Sequence, residues 1–368
     1  MRLLMLLSDW RRGGAESAAL TLTGAMVGRG HVVTAAAVRD RGDMAALFER
    51  AGATVRRRLA AGRLDLLAPL RLRSLIRRRA IDAVVLVDAP RHAMVYLAAL
   101  RWMGCRVPMV CWCHSVPNPQ AGQFIPRLRG MMRWRVFQAL VCVSRYHRRT
   151  LERHGLPRRK SCVIYNGIDV GRYAGAAQRQ SPPSDLHVPA GKKLVVQVAN
   201  VMPIKDFETL LSAAGLLARR RNDFHFVLIG RDTDGPSLKA AARAAGVGAC
   251  LTAAGSRQDV PAILAAADVF VLSTHDDIFS VATLEAMASA AAVVVSDIAA
   301  FDEMFRHERQ GLKVAPRNAA AMAEAIQRLL NDEPLRRQLA AAAVQHVRRF
   351  DVEPMAERFD RLLRKLVH

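Results

Sequence analysis

Short unbroken apolar runs alternate along this chain with longer stretches whose apolar positions recur every three or four residues. In the first half the runs are Arg2–Leu7, His31–Val38, Ala83–Val87, Pro108–Cys113 and Leu140–Val143. Runs of this length with no polar alternation predict strands covered on both faces, as in a parallel sheet. Helical spacing lies between them, from about Glu16 to Gly28, Met44 to Ala51, Leu64 to Arg79 and Met94 to Met103. The second half repeats the rhythm, with runs at Lys193–Val198, Phe224–Ile229, Val269–Leu272 and Val293–Ser296, a helix over Phe207–Arg220 and another from Ser237. Such βα units predict two α/β domains, each a doubly wound parallel sheet, with a cleft between them. The stretch Gly171–Gly191, with Pro182-Pro183 among small residues, is read as the linker. The expected domains are therefore 1–170 and 192–352. Glu353–Val367 is an amphipathic helix, with Met355, Phe359, Leu362, Leu363 and Leu366 on its apolar side.

Length and composition fit this division. At 368 residues and 51% hydrophobic content, the chain can build two cores. No apolar run approaches a bilayer span, and Met1–Ser8 is too short for a leader, since Asp9 follows it. The six cysteines contain no CxxC pair. Cys111-x-Cys113-His114 lies on a strand without a second ligand pair nearby, so the thiols are read as buried and reduced. That reading points to a cytoplasmic setting, and no metal site is expected.

Charge changes the picture more. The net charge is +23, and it is unevenly spread. Residues 1–180 hold 32 Lys/Arg against 10 Asp/Glu, whereas 181–368 hold 23 against 22. One domain thus carries nearly all the excess. A single cluster such as Arg56–Arg58 is an ordinary solvated face, but a domain-wide excess attracts anionic lipid headgroups, polyphosphate-linked acceptors or acidic glycans. The stretch Ile125–Leu140 sets four arginines among Ile125, Leu128, Met131, Met132, Trp134 and Phe137. That composition fits a helix lying in a membrane interface, or one buried on one side with snorkelling arginines. Nucleic acid ranks last as a partner, because no known motif is present and few aromatics lie near the arginines.

The candidate chemistry centres on Ser273–Ser289. An apolar strand, Val269–Leu272, runs into a tight loop and then into a helix beginning near Ser280. A strand, a loop and a helix N-terminus can hold phosphate on backbone N–H groups. Asp277 in the loop and Glu285 two helical turns on would supply acceptors at both ends of a sugar nucleotide. Similar loops follow other strands: Gly13-Gly14 before Glu16, whose carboxylate suits a helix start, and Asn200 through Lys205 after Lys193–Val198. Gly230-Arg231 ends a strand-like run, Gly255-Ser256-Arg257 stands just before Val260, and His114 ends Pro108–Cys113.

Taken in order, these motifs resemble the retaining GT-B glycosyltransferases of family 4 (glycosyl transferases group 1). The donor motif of that family is usually written Glu-Gly-Phe…Glu-Ala-Met-Ala. Here Asp277, Ile278 and Phe279 stand in its first part, and Glu285-Ala286-Met287-Ala288 matches its second. The resemblance covers almost the whole chain. It implies a GT-B fold whose final helix, 353–368, returns to complete the first domain. It implies that Asn166-Gly167-Ile168-Asp169 marks the crossover between domains.

The resemblance also implies roles for particular residues. Lys205 would grip the donor diphosphate with Asn200, where many members have an arginine. Glu285 would accept from the ribose, and Asp277 would hold donor-sugar hydroxyls. Gly13, Gly14, Gly230, Arg257, Ile278, Phe279 and Ser280 would line the donor site, and His114 would contact a hydroxyl of donor or acceptor. Catalysis falls to Lys205, Asp277 and His114. The substrate would be a nucleoside-diphosphate sugar, used without metal or other cofactor, and the acceptor a glycan or lipid-linked glycan, as in polysaccharide or lipopolysaccharide biosynthesis. Ala290-Ala291-Ala292 and Ala299-Ala300 depart from loops that usually carry glycine, and Glu303 keeps an acidic position. These departures, with Asn200, Asp277 and Ile278, motivate an alternative: a catalytically impaired GT-B protein that binds glycan or a partner.

Overall fold

The computed structural model describes residues 1–62, 65–115, 124–176 and 181–368. Residue 64 of the predicted basic helix and 177–180 of the predicted linker lie outside the described residues. The elements of the first half are β1 (Arg2–Leu7), α1 (Gly14–Gly28), β2 (Val32–Ala37), α2 (Ala45–Arg50), β3 (Thr54–Arg56), α3 (Ala68–Arg78), β4 (Ala83–Val87), α4 (Arg91–Trp102), β5 (Met109–Cys113), α5 (Phe124–Arg133), β6 (Ala139–Cys142), α6 (Arg145–Arg153) and β7 (Ser161–Val163). There follow α7 (Val170–Ala176), β8 (Lys193–Val198), α8 (Phe207–Ala218), β9 (Phe224–Ile229), α9 (Pro236–Ala244), β10 (Leu251–Ala253), α10 (Val260–Ala266), β11 (Val269–Leu272), α11 (Val281–Ala288), β12 (Ala292–Ser296), β13 (Leu312–Val314), α12 (Ala319–Asn331), α13 (Glu333–Val347) and α14 (Val352–Val367).

Two compact units result. The first comprises residues 1–167 and 352–368, and the second 168–351. The first holds a seven-stranded sheet in the order β3-β2-β1-β4-β5-β6-β7, the second a six-stranded sheet in the order β10-β9-β8-β11-β12-β13. Strand pairing is parallel in both, for example Leu3↔Val33 and Leu3↔Ala83 around the central β1. Each order reverses beside its first strand, so loops leaving the carboxyl ends there splay apart and leave room for a ligand.

The fully buried central strands explain the unbroken apolar runs: β4, β5 and β6 have every residue buried. The three-residue strands β3, β10 and β13 lie outside the predicted elements, being too short to set up a pattern. In the first unit α14 lies along α1, where His31 Nε2 meets Asp360 at 3.1 Å and Arg29 meets Glu353 at 2.9 Å. Phe359 is fully buried with its ring 4.8 Å from that of Trp112. Cys111, Cys113 and Cys142 are buried free thiols, and burial raises the pKa of all three.

Two expectations need correction. The segment read as a linker is partly built into the second unit: Val170 and Tyr173, three apart on α7, are buried. The predicted interfacial helix 125–140 ends at Arg133, because Arg135 takes a left-handed φ of 53° and the chain turns into β6. Its apolar residues Leu128, Met132 and Phe137 are fully buried in the first unit's core. That face is therefore spent on packing, and the interfacial reading of this helix fails. No described helix is long and apolar enough to cross a membrane.

Candidate functional site

In the second unit the loops after β8 and β11 are tied together by backbone and hydroxyl groups. His275 N–H donates to the Ile204 carbonyl at 3.0 Å, and Thr274 Oγ1 donates to the same carbonyl at 2.7 Å. Ser273 Oγ donates to the Lys205 carbonyl at 3.2 Å. Asp206, with φ of 39°, caps α8 through Thr209 N–H and fixes where Lys205 leaves the loop. The result is an ion pair, with Lys205 Nζ 2.7 Å from Asp277 Oδ2. Both side chains are largely buried, 18% and 11% exposed, so water screens them less than a surface pair.

The other Asp277 oxygen accepts from the N–H groups of Ile278 and Phe279, at 2.7 and 3.3 Å. Ile278 and Phe279 turn their side chains inward, the latter against Phe350 at 5.5 Å. Only their backbone faces the loop. Ser280 caps α11, its Oγ accepting from Thr283 N–H at 3.2 Å. One turn on, Glu285 Oε1 accepts from the Tyr173 hydroxyl on α7 at 2.6 Å. Beside the pair, burial and the neighbouring Asp277 hold the Asp276 carboxyl above its ordinary range.

The loop after β9 completes this end of the sheet. Asn200 Oδ1 accepts from Arg231 N–H at 2.9 Å, so the asparagine braces the neighbouring loop. Gly230, at φ of 142°, passes so close to β8 that a Cβ there would lie 2.1 Å from the Ala199 carbonyl oxygen. Glycine is required by that approach. Arg257 is engaged with two carboxylates, Asp259 at 2.6 Å and Asp185. These bonds hold both carboxyls below their ordinary range. Its guanidinium therefore anchors residues 184–186 to the loop after β10.

In the first unit a second polar group collects beyond β1, β4 and β5. The helix α1 begins at Gly14, two residues earlier than predicted. Gly13 is extended, and a Cβ there would meet Glu16 Oε2 at 2.6 Å, whereas Gly14 faces open space. Burial, together with Asp88 and Asp9, pushes the Glu16 carboxyl up to about 7. Asp9 is held by Arg11 at 2.8 Å. Asp88 has a left-handed φ of 61° and accepts from Ser115 Oγ at 2.7 and 2.8 Å and from His114 N–H at 3.2 Å. His114 Nδ1 lies 3.1 Å from the Trp112 carbonyl and Nε2 lies 3.2 Å from Asn166 Oδ1. Burial lowers its pKa, so the ring is neutral near pH 7. His147 beneath it donates to the Ser115 carbonyl at 3.1 Å and is pushed down to about 4 by burial.

The second unit thus joins Lys205, Asp277, Ile278, Phe279, Ser280 and Glu285 at one end of its sheet, with Asn200 and Gly230 bracing the loops beside them. The first unit gathers Gly13, Gly14 and His114 around carboxylates that sequence reasoning passed over. Asp88 follows β4 directly and Asp9 follows β1 after one residue, the one signal that could have singled them out.

Two family models divide the chain between them. Glycosyltransferase Family 4 matches residues 12–172, and Glycosyl transferases group 1 matches 179–346. The chain belongs to glycosyltransferase family 4.

Among family 4 relatives is the N,N'-diacetylbacillosaminyl-diphospho-undecaprenol alpha-1,3-N-acetylgalactosaminyltransferase of Campylobacter jejuni. It is 30% identical over 218 residues, 58% of this chain and 56% of that protein. The lipopolysaccharide core biosynthesis mannosyltransferase LpsB of Rhizobium meliloti is 29% identical over 195 residues, 51% of this chain and 54% of that protein. The chain spans about half the length of the relatives it matches. Solved structures align over nearly the full length. Anabaena Alr3699/HepE in complex with UDP-glucose has a TM-score of 0.83 at 21% identity, covering 99% of this chain and 100% of that one. WaaG, a glycosyltransferase involved in lipopolysaccharide biosynthesis, has a TM-score of 0.73 at 16% identity, covering 99% of each. The fold is GT-B, with two Rossmann-like parallel-sheet units.

Proposed function

We propose that this family 4 protein is a retaining glycosyltransferase that moves a sugar from a nucleoside diphosphate to a glycan or lipid-linked acceptor. Cell-surface polysaccharide or glycolipid synthesis is its setting. The observation that carries the reading is the Lys205–Asp277 pair, set beside the capped start of α11 with Glu285 one turn on. Lys205 is the cation of that pair. When a diphosphate arrives it offers Lys205 a stronger partner than one carboxylate, and Asp277 is released to accept from donor-sugar hydroxyls. Glu285 accepts from the ribose. Charge building on the departing phosphate is then stabilised by Lys205 and the amino end of α11.

Attack on the same face, with the departing phosphate taking the acceptor proton, retains configuration without a protein nucleophile. The acceptor belongs to the first unit, where a hydroxyl would take the place of Asn166 Oδ1 at His114 Nε2. The high pKa of Glu16 lets its carboxyl change protonation state near neutrality. UDP-sugars are the first donors to try, since HepE was solved with UDP-glucose. An anionic membrane surface, drawn by the charge of residues 1–180, is the remaining partner.

Thermal stability against UDP-, GDP- and ADP-sugars tests the reading. One donor should raise Tm in the wild type and leave Lys205→Ala and Glu285→Ala unmoved, and that donor should turn over with an acceptor glycan. A shift without turnover across an acceptor panel would favour a binding module, and no shift with any donor would reject the site.

A further inference from the structure

We infer that the first unit docks on an anionic lipid bilayer through the amino-terminal edge of its sheet, the edge opposite its polar group at Glu16, Asp88 and His114. The strands are parallel, so the connections from α3, α4, α5 and α6 into β4, β5, β6 and β7 line up along this one edge. Counting each connection with the last two residues of its helix, residues 77–82, 101–108, 132–138 and 152–160 hold eleven Arg/Lys against one Asp and one Glu. Nine of those eleven side chains are exposed.

Basic residues are favoured at helix C-termini wherever they occur, because the backbone carbonyls there carry partial negative charge. The second unit controls for that effect. Its helix-to-strand connections into β9, β10, β11 and β12, residues 217–223, 243–250, 265–268 and 287–291, hold four Arg against two Asp. The two that match by sheet position, into β11 and β12, hold one Asp and no Arg or Lys, where those into β4 and β5 hold five Arg against one Asp. The same topology and the same dipoles therefore do not produce the excess.

The edge is also aromatic. Trp102 ends α4 and is 97% exposed, and Trp134 follows α5 and is 71% exposed. Their connections are held side by side by Arg101, whose guanidinium donates to the carbonyls of Cys105, Val107 and Val136 and to Gln138 Oε1. The helix-to-strand connections of the second unit contain no tryptophan. Water-exposed tryptophans ringed by arginine match the headgroup layer, where the indole is half solvated and the cations meet lipid phosphate. A strand of five or six residues at about 3.3 Å each sets the polar group roughly 20 Å above the lipid. An acceptor anchored in the same bilayer must therefore extend several sugars before its hydroxyl reaches that height.

Vesicle flotation of the full chain tests this, with phosphatidylcholine alone and with phosphatidylglycerol added. The wild type should float only with the anionic vesicles. Its emission should shift to the blue, a change specific to this edge because Trp10 and Trp112 are already fully buried. The double variant Trp102→Ala/Trp134→Ala and the triple variant Arg106→Gln/Arg158→Gln/Arg159→Gln should each bind about tenfold more weakly. Leu66→Ser/Leu70→Ser, exposed positions at the other end of α3, should bind like the wild type. Unchanged circular dichroism checks that every variant is folded. No flotation of the wild type, equal flotation of the tryptophan variant, or loss confined to the leucine variant would each overturn the assignment. So would duplex DNA that binds wild type and tryptophan variant alike and displaces both from vesicles. The inference rests on the membrane partner named in the proposed function, and donor titration of the same preparations reports separately on the transferase chemistry.

Discussion

At the scale of single residues, environment decides what each group can do. Glu16 shows this most directly. Its carboxyl is raised from the ordinary range to about 7, chiefly by burial, so between about pH 4.5 and 7 the folded chain holds a proton that the unfolded chain has released. Stability therefore falls as pH rises through that window. Glu16→Gln should match the wild type at pH 4.5 and exceed it by about 2 kcal/mol above pH 7.5, allowing for partial exposure. Denaturant unfolding at the two pH values reads this, and a gain equal at both would reject the shift. His147 pulls the other way: lowered to about 4, it takes its proton in the unfolded chain first, so its contribution to stability is lost as pH falls from about 6.5 towards 4. His147→Asn should flatten the acid side of the profile.

The Lys205–Asp277 pair carries a second residue-scale prediction. Under the proposed function, Asp277→Asn removes the carboxylate that an arriving diphosphate would displace from Lys205. UDP, which has no sugar for Asp277 to hold, should then bind about three- to fivefold more tightly, the scale of a partly screened ion pair. Turnover of the sugar nucleotide should meanwhile fall by about a hundredfold. Calorimetric titration with UDP alongside rate measurement separates the two effects, and weaker UDP binding would show that Asp277 orders the loop rather than competing for the lysine.

At the scale of elements, sequence patterns showed most where burial is continuous. The central strands were legible because every residue of β4, β5 and β6 is covered. The amphipathic α14 showed its apolar side, whereas α12 and α13 were not among the predicted elements. Three-residue edge strands such as β13 were not legible, since three positions define no period. Position along the chain also singled out Asp277, Lys205 and Glu285 as candidates, but not what each would touch. A lysine 72 residues from its carboxylate, or a tyrosine 112 residues from a glutamate, leaves no local signature. The helix α7 is the instructive case. Its neighbours Pro182, Pro183 and several small residues read as linker, yet Tyr173 fastens it to α11 through Glu285. Tyr173→Phe keeps the ring packed and removes the hydrogen bond that Tyr173 gives to the Glu285 carboxylate. Donor KM should rise about tenfold with kcat nearly unchanged, because the cost is re-ordering one side chain on binding. A fall in kcat at constant KM would place Tyr173 in the transition state instead.

At the scale of the whole molecule, the chain's repetition was the most legible property: two runs of βα units, and two parallel sheets. The charge asymmetry was equally plain, but the edge that carries it depended on the direction of every strand and helix, which composition does not record. That α14, last in sequence, belongs to the unit that begins at residue 1 was legible only through the family resemblance, not through the pattern of its residues. The final helix closes that unit by burying Phe359 on Trp112 and by pairing with α1 at His31 and Arg29. Because each unit has its own sheet and its own core, the two should report separately on heating. Removing the Phe359 ring leaves a cavity against Trp112 and α1, which costs about 3 to 5 kcal/mol in the first unit alone. Phe359→Ala should therefore lower one calorimetric transition. If the proposed donor site on residues 168–351 holds the sugar nucleotide, that ligand should raise the other in wild type and variant alike. A single transition moved by both perturbations would mean that the two cores melt together, and that the carboxyl-terminal helix stabilises the donor-binding unit as well as its own.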